Sequence, residues 1–198
     1  SNHGGGLYIS ENNVLTLNNV TITKNNTTDT GGGIGTPFFS TTPTNIILNI
    51  NDCIISENTS SYGGGLYAKA TTNINNTTFD NNISSSAPGG GLVLFDSYDL
   101  TVNNSIFSNN SATDGGGIYS SSTIGNTVTI SNSTINNNQA NSKGGGMFSS
   151  NDGGTLSIEN TDLLPFSTAV NLRIGQSVQS TIFSSRTQYF IHSSERFV

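Results

Sequence analysis

The side chains able to do acid–base or metal chemistry are few and scattered. Carboxylates occur at Asp29, Asp52, Glu57, Asp80, Asp96, Asp99 and Asp114, while the only Lys or Arg residues before position 165 are Lys24, Lys69 and Lys143. Glycoside hydrolysis needs two carboxylates facing one bond, and eliminative cleavage of an acidic sugar needs acidic metal ligands with a base nearby. No local spacing gathers such a set. Asp29 and Asp114 each lie just before a glycine triplet, but the equivalent positions between them hold Tyr62 and Pro88. His3 and His192 sit near opposite ends. Gly31-Gly-Gly-Ile-Gly35 superficially matches a dinucleotide-binding turn, yet a strand-forming segment follows it and no acidic ribose partner does. The sequence predicts no catalytic residues, no cofactor and no metal site.

Aromatic residues are placed more regularly. Tyr8, Tyr67, Tyr119 and Phe148 each come two residues after a Gly-Gly-Gly triplet. The triplet recurs at Gly4–Gly6, Gly31–Gly33, Gly63–Gly65, Gly89–Gly91, Gly115–Gly117 and Gly144–Gly146, with starts 27, 32, 26, 26 and 29 residues apart. Leu, Ile or Met follows each triplet. Self-similarity at this period signals stacked repeats. A second motif lies between the triplets: LTLNNVTITKN at 15–25 aligns with LNINDCIISEN at 48–58 and with four later copies. One column reads Asn19, Asp52, Asn76, Asn104, Asn132, Asn160. An apolar column three residues on reads Ile22, Ile55, Phe79, Phe107, Ile135, Leu163. A third reads Asn25, Asn58, Asn82, Asn110, Asn138 and fails at Phe166.

These columns define the elements that would position any site. Short runs such as Leu15-Thr-Leu17 and Thr21-Ile-Thr23 alternate with period 2, the mark of strands with one buried face. Each copy is too short for two strand–helix pairs, and no stretch shows sustained helical periodicity. Three short strands per copy, separated by Asn and Gly turns, describe one coil of a right-handed parallel β-helix. Six coils spaced at β-sheet distance make a rod roughly 29 Å long. Asn suits the turns because it tolerates positive φ and bonds to nearby backbone, and stacked Asn side chains form ladders. The Gly column lets the backbone bend sharply into the next strand.

Bulk properties agree. The 198-residue chain is 32% hydrophobic and 9% charged, with 29 Asn and a net charge of -6. That charge disfavours nucleic acid, whose binding needs clustered Lys and Arg. Cys53, the only cysteine, stands in a column with Val20, Thr77, Ser105, Ser133 and Thr161, and reads as a small repeat residue. No initiator Met, signal peptide or long apolar segment is present, so the chain reads as a mature or excised piece of a secreted protein that does not itself insert into a membrane.

The alternation of Gly-Gly-Gly-aliphatic with Phe79…Asn82 and Phe107…Asn110 resembles the GGA[ILV] and FxxN repeats of chlamydial polymorphic membrane proteins. Ile22…Asn25, Ile55…Asn58 and Ile135…Asn138 match with Ile for Phe, and the third Gly stands where that family has Ala. The resemblance spans about residues 4–165. It implies a β-helix in a surface adhesin or autotransporter passenger, outside the cell, meeting a host or neighbouring-cell protein or glycan. Pectate-lyase-like enzymes share the fold class, so polysaccharide cleavage stands as the enzymatic alternative.

If Leu7, Ile34, Leu66, Leu92, Ile118 and Met147 point inward, then Tyr8, Gly35, Tyr67, Val93, Tyr119 and Phe148 point outward. The outward rings form either an exposed line able to stack on sugar or protein, or a cover over the sheet. The stretch from triplet start to Asn/Asp turn is 13–17 residues in five copies and 21 in the second. The excess, residues 36–45, carries Phe38 and Phe39 between prolines. It is either an exposed binding tip or a loop folded back over the first coils. Residues 1–165 are thus expected to form the solenoid. Residues 166–198, which hold all three Arg, are expected to cap it or to join an identical chain head to tail into a filament.

Overall fold

The computed structural model describes residues 3–38, 45–96, 98–122, 125–151, 154–163, 171–174 and 181–183. Within these, the alternating segments form strands stacked coil on coil. The Leu15-Thr-Leu17 motif and its copies build a seven-stranded parallel sheet: Val14–Asn18, Ile47–Asn51, Thr71–Asn75, Leu100–Asn103, Thr127–Ser131, Thr155–Glu159 and Thr181–Phe183. The residues after each triplet build a second: Leu7–Tyr8, Ile34–Gly35, Leu66–Ala68, Leu92–Phe95, Ile118–Ser122, Met147–Asn151 and Asn171–Ile174. The FxxN segments build a third, of six strands from Thr21–Thr23 to Asp162–Leu163. Each strand pairs with its counterpart one coil away. The molecule is an all-β, right-handed parallel solenoid with five complete turns between its six triplets, and no helix occurs among the described residues.

A fourth sheet corrects the three-strand expectation. Thr59–Ser60, Ile83–Ser84, Ser111–Asp114 and Gln139–Lys143 stack in the middle coils. These strands are short and rich in Ser and Thr, so no apolar alternation announces them. Pairing with the neighbouring coils makes them strands.

The core is a set of vertical columns. Ile22, Ile55, Phe79, Phe107, Ile135 and Leu163 sit in register at the centre, and the Phe79 and Phe107 rings stack 4.6 Å apart. Ile34, Leu66, Leu92, Ile118 and Met147 are fully buried opposite them.

The two Asn columns do different work. Asn19, Asp52, Asn76, Asn104, Asn132 and Asn160 all adopt positive φ, between 46° and 55°, at exposed bends. The second column is internal and serves through its side chains. Asn58 donates through Nδ2 to Asn82 Oδ1 at 3.0 Å, Asn82 to Asn110 at 3.0 Å, and Asn110 to Asn138 at 2.9 Å. The second Nδ2 proton reaches a carbonyl of the preceding coil, and each Oδ1 also accepts the backbone N–H of the Asn before it. All four polar valences of Asn82 and Asn110 are thereby used, which is what makes a buried amide tolerable. At the bend beside this column the left-handed residue is the preceding one, from Lys24 to Asn137. A hydroxyl column runs parallel: the Cys53, Thr77 and Ser105 backbone N–H groups donate to Thr77 Oγ1, Ser105 Oγ and Ser133 Oγ. Cys53 fills its slot as a stand-in for Ser or Thr, its Sγ donating to Asn51 O.

The triplet divides its labour too. The first Gly of each triplet lies at φ between 59° and 71°. A Cβ on the third would come within 2.5–2.8 Å of the carbonyl of the corresponding Gly one coil on, for Gly6, Gly33, Gly65, Gly91 and Gly117. The Gly columns therefore set how closely coils approach.

Beyond residue 165, Asn171–Ile174 pairs with Phe148–Asn151. Thr181–Phe183 pairs with Ser157–Glu159. The rest of the segment 166–198, expected to cap the solenoid or join another chain, lies outside the described residues.

Candidate functional site

The outward column of the triplet sheet is in register as expected: Tyr8, Gly35, Tyr67, Val93, Tyr119 and Phe148 neighbour one another coil by coil. Exposure differs along it. Tyr8 is 42% exposed and Tyr119 is half-buried, but Tyr67 is 1% and Phe148 8% exposed. An open line of rings is thus corrected at Tyr67 and Phe148. The reason is local: where the column holds a small residue, a ring from elsewhere lies over the gap. Gly35 leaves room beside Tyr67, and Phe38 folds back into it, with its ring 5.6 Å from Tyr67, 5.7 Å from Tyr62 and 6.5 Å from His3. Beside Val93 the Phe95 ring does the same, lying 5.7 Å from Tyr67 and 5.6 Å from Tyr119. His3 stacks on Tyr8 at 6.1 Å and Tyr119 on Phe148 at 5.2 Å, with Lys143 Nζ 5.7 Å above the Phe148 ring. The result is one continuous aromatic band from the first coil to the sixth, about 24 Å long at the β-strand spacing.

Of the residues singled out from sequence, Tyr8, Tyr67, Tyr119, Phe148 and Phe38 all join this band. Phe39 lies outside the described residues. His3, Tyr62 and Phe95 belong to it and were not foreseen. Period-2 counting from Val93 would have found Phe95. Tyr62 required seeing that the position before the triplet also faces out.

Charged groups line the band in pairs. Lys69 Nζ lies 3.0 Å from Asp96 Oδ2, and its side chain is mostly buried. His3 Nδ1 lies 3.3 Å from Asp29 Oδ2 and 2.7 Å from Thr30 Oγ1. Both partners of His3 compete for one ring nitrogen, so this is not a carboxylate–imidazole–hydroxyl relay, which needs one partner on each nitrogen. Burial pushes the Tyr67 phenol far above its ordinary range, reinforced by the Asp96 carboxylate and by Tyr62 and Asp29. Burial also raises Tyr119, an effect opposed by a hydrogen bond from Ser121 and aided by Asp114. Both phenols stay protonated and uncharged at neutral pH. One Asp114 oxygen at the band's margin is buried without a hydrogen-bond partner. Among the described residues, no three His, Cys, Asp or Glu side chains converge as metal ligands.

Residues 1–163 match the family model described as the right handed beta helix region. No curated protein and no solved structure matches the chain. The match covers the whole repeat array, including every triplet and every Asn bend, and the chain belongs to the right-handed beta helix family.

Proposed function

We propose that this chain is a non-catalytic surface protein acting outside the cell as an adhesin or scaffold, of the kind built on GGA[ILV]/FxxN repeats. Its contact surface is the aromatic band on the triplet sheet. The observation that carries this reading is the continuity of that band. Eight rings contributed by all six coils lie along one face of a rigid rod, and the six that keep exposed surface, His3, Tyr8, Phe38, Tyr62, Phe95 and Tyr119, supply contact area at low entropic cost. The flanking charges are paired with one another, as Lys69 with Asp96 and His3 with Asp29.

The test is attachment. Beads coated with the purified protein are offered to epithelial cells and to bacterial cells, and a Phe95→Ala/Tyr119→Ala double variant is run beside them. Attachment that drops at least fivefold in the variant supports the reading. Attachment that is absent, or that the variant retains, overturns it. Turnover of a polysaccharide panel, abolished by Asp96→Asn or Asp99→Asn, would move the protein to the enzymatic class.

A further inference from the structure

Resting on the reading of the band as a contact surface, we infer that its ligand is an extended, uncharged glycan of β-linked, all-equatorial pyranoses lying parallel to the solenoid axis. Three features of the face select that class.

The first is shape. The rings follow one another along the axis, from Tyr8 through Phe38, Tyr67 and Phe95 to Tyr119 and Phe148, at centroid separations of 5.2–5.7 Å from Phe38 onward. Tyr67 and Phe148 are buried beneath their neighbours, so a linear polymer laid along this direction meets the exposed parts of Tyr8, Phe38, Tyr62, Phe95 and Tyr119, from the first coil to the fifth. The advance per sugar in a β-linked chain is close to the spacing of the coils beneath it. A globular or branched ligand would touch only a few rings.

The second is the nature of the rings' offered surface. Phe38, Tyr62, Phe95 and Tyr119 are only part-exposed, and successive rings are tilted by 45–59° from Phe38 to Tyr119. Thin apolar strips of this kind are too narrow to bury a large aliphatic or aromatic side chain. They suit the axial C–H faces of an all-equatorial pyranose, which presents such a face on both sides.

The third is charge. The cations beside the band are already engaged: Lys69 by Asp96, and Lys143 over the Phe148 ring. The exposed polar groups are acceptors: the Asp96 side chain is 57% and the Asp29 side chain 39% exposed, and each uses one oxygen toward its partner, Lys69 or His3. Sugar hydroxyls donate to such groups. A uronic-acid polymer would meet these two carboxylates on a chain of net charge -6 and would be repelled.

Affinity electrophoresis and calorimetry test this, with cellulose-derived and xylan-derived oligosaccharides of two to six units, and polygalacturonate as the acidic comparator. Expected is binding of the neutral series that strengthens at least tenfold from two to six units and changes less than twofold between low and high salt. Phe95→Ala and Tyr119→Ala each weaken it at least tenfold while far-UV circular dichroism is unchanged. Ile106→Ser, on the third sheet and away from the band, leaves it intact. Two results overturn the inference: no neutral oligosaccharide binds, or polygalacturonate binds as well as they do. If cell attachment still depends on Phe95 and Tyr119 while neutral glycans fail, the contact surface stands and the glycan assignment falls. If neither depends on the band, both fall.

Discussion

Removing one rung of the internal Asn ladder offers a measurable perturbation. Asn110 is fully buried and makes four side-chain bonds: Nδ2 donates to Phe79 O at 3.0 Å and to Asn138 Oδ1 at 2.9 Å, while Oδ1 accepts from the Asn82 backbone N–H at 2.9 Å and from Asn82 Nδ2 at 3.0 Å. Asn110→Ala orphans two buried donors on Asn82. The two acceptors suffer less, because Asn138 Oδ1 keeps the Asn110 backbone N–H. At about 1–3 kcal/mol for each of the two orphaned donors, less about 1 kcal/mol for relief of side-chain ordering, the loss is about 1–5 kcal/mol. The upper part of that range is a large share of the stability of an ordinary domain, about 5–15 kcal/mol. Urea unfolding followed by far-UV circular dichroism measures it.

Asn110→Asp separates hydrogen bonding from mere space-filling. One carboxyl oxygen still accepts both Asn82 N–H groups, but the other faces two acceptors, Phe79 O and Asn138 Oδ1. A proton on that oxygen satisfies one of them, whereas the ionised form satisfies neither and is buried. The folded-state pKa of that carboxyl is therefore raised above its unfolded value near 3.9. The sign follows: the penalty is smallest below pH ~4 and grows by about 1.4 kcal/mol per pH unit until the folded pKa is reached. Relative to wild type, Asn110→Asp should thus lose stability steadily from pH 4 to pH 7, while the Asn110→Ala penalty stays flat. A loss under about 1 kcal/mol for Asn110→Ala, or a flat profile for Asn110→Asp, would refute the ladder as a source of stability.

Two further outcomes follow from the packing. Gly91→Ala places a Cβ 2.6 Å from Gly117 O, 3.1 Å from Phe107 Cδ1 and 3.2 Å from Asn110 Nδ2. It should lower unfolding stability by about 1–3 kcal/mol, and unchanged urea midpoints would show that coils separate more freely than this spacing implies. Tyr67 and Tyr119 should ionise above the ordinary phenol value near 10 in an alkaline absorbance titration. Because their folded pKa values are raised, the associated stability is intact below pH ~10 and falls as pH climbs above it. If Tyr67→Phe and Tyr119→Phe each remove a component that titrates in the normal range before unfolding, the burial of the band is contradicted.

The interior was legible in the sequence because each inward position meets the same neighbours in every coil. Ile22, Ile55, Phe79, Phe107, Ile135 and Leu163 align by counting alone, and the register places them on one line. The division of labour between the Asn columns was not legible, since one residue type serves both. Asn19 and its copies are chosen for positive φ and Asn58 and its copies for two donors and an acceptor, yet both columns simply read Asn. The fourth sheet escaped because Ser and Thr become strands there only by pairing with the next coil.

The outer face is where counting fails, for a physical reason. An outward ring is not confined by an identical ring one coil away, so its surroundings depend on whichever loop or neighbouring column reaches it. Gly35 and Val93 interrupt the aromatic column in sequence, and from the column alone the face looks broken. In three dimensions those small residues create the space that Phe38 and Phe95 occupy, and the band is continuous because of the interruptions. Rigid repeats fix the interior, and departures from the repeat shape the surface. Contact function in such a rod should therefore be sought at the irregular positions, where a side chain is set by something other than its own column.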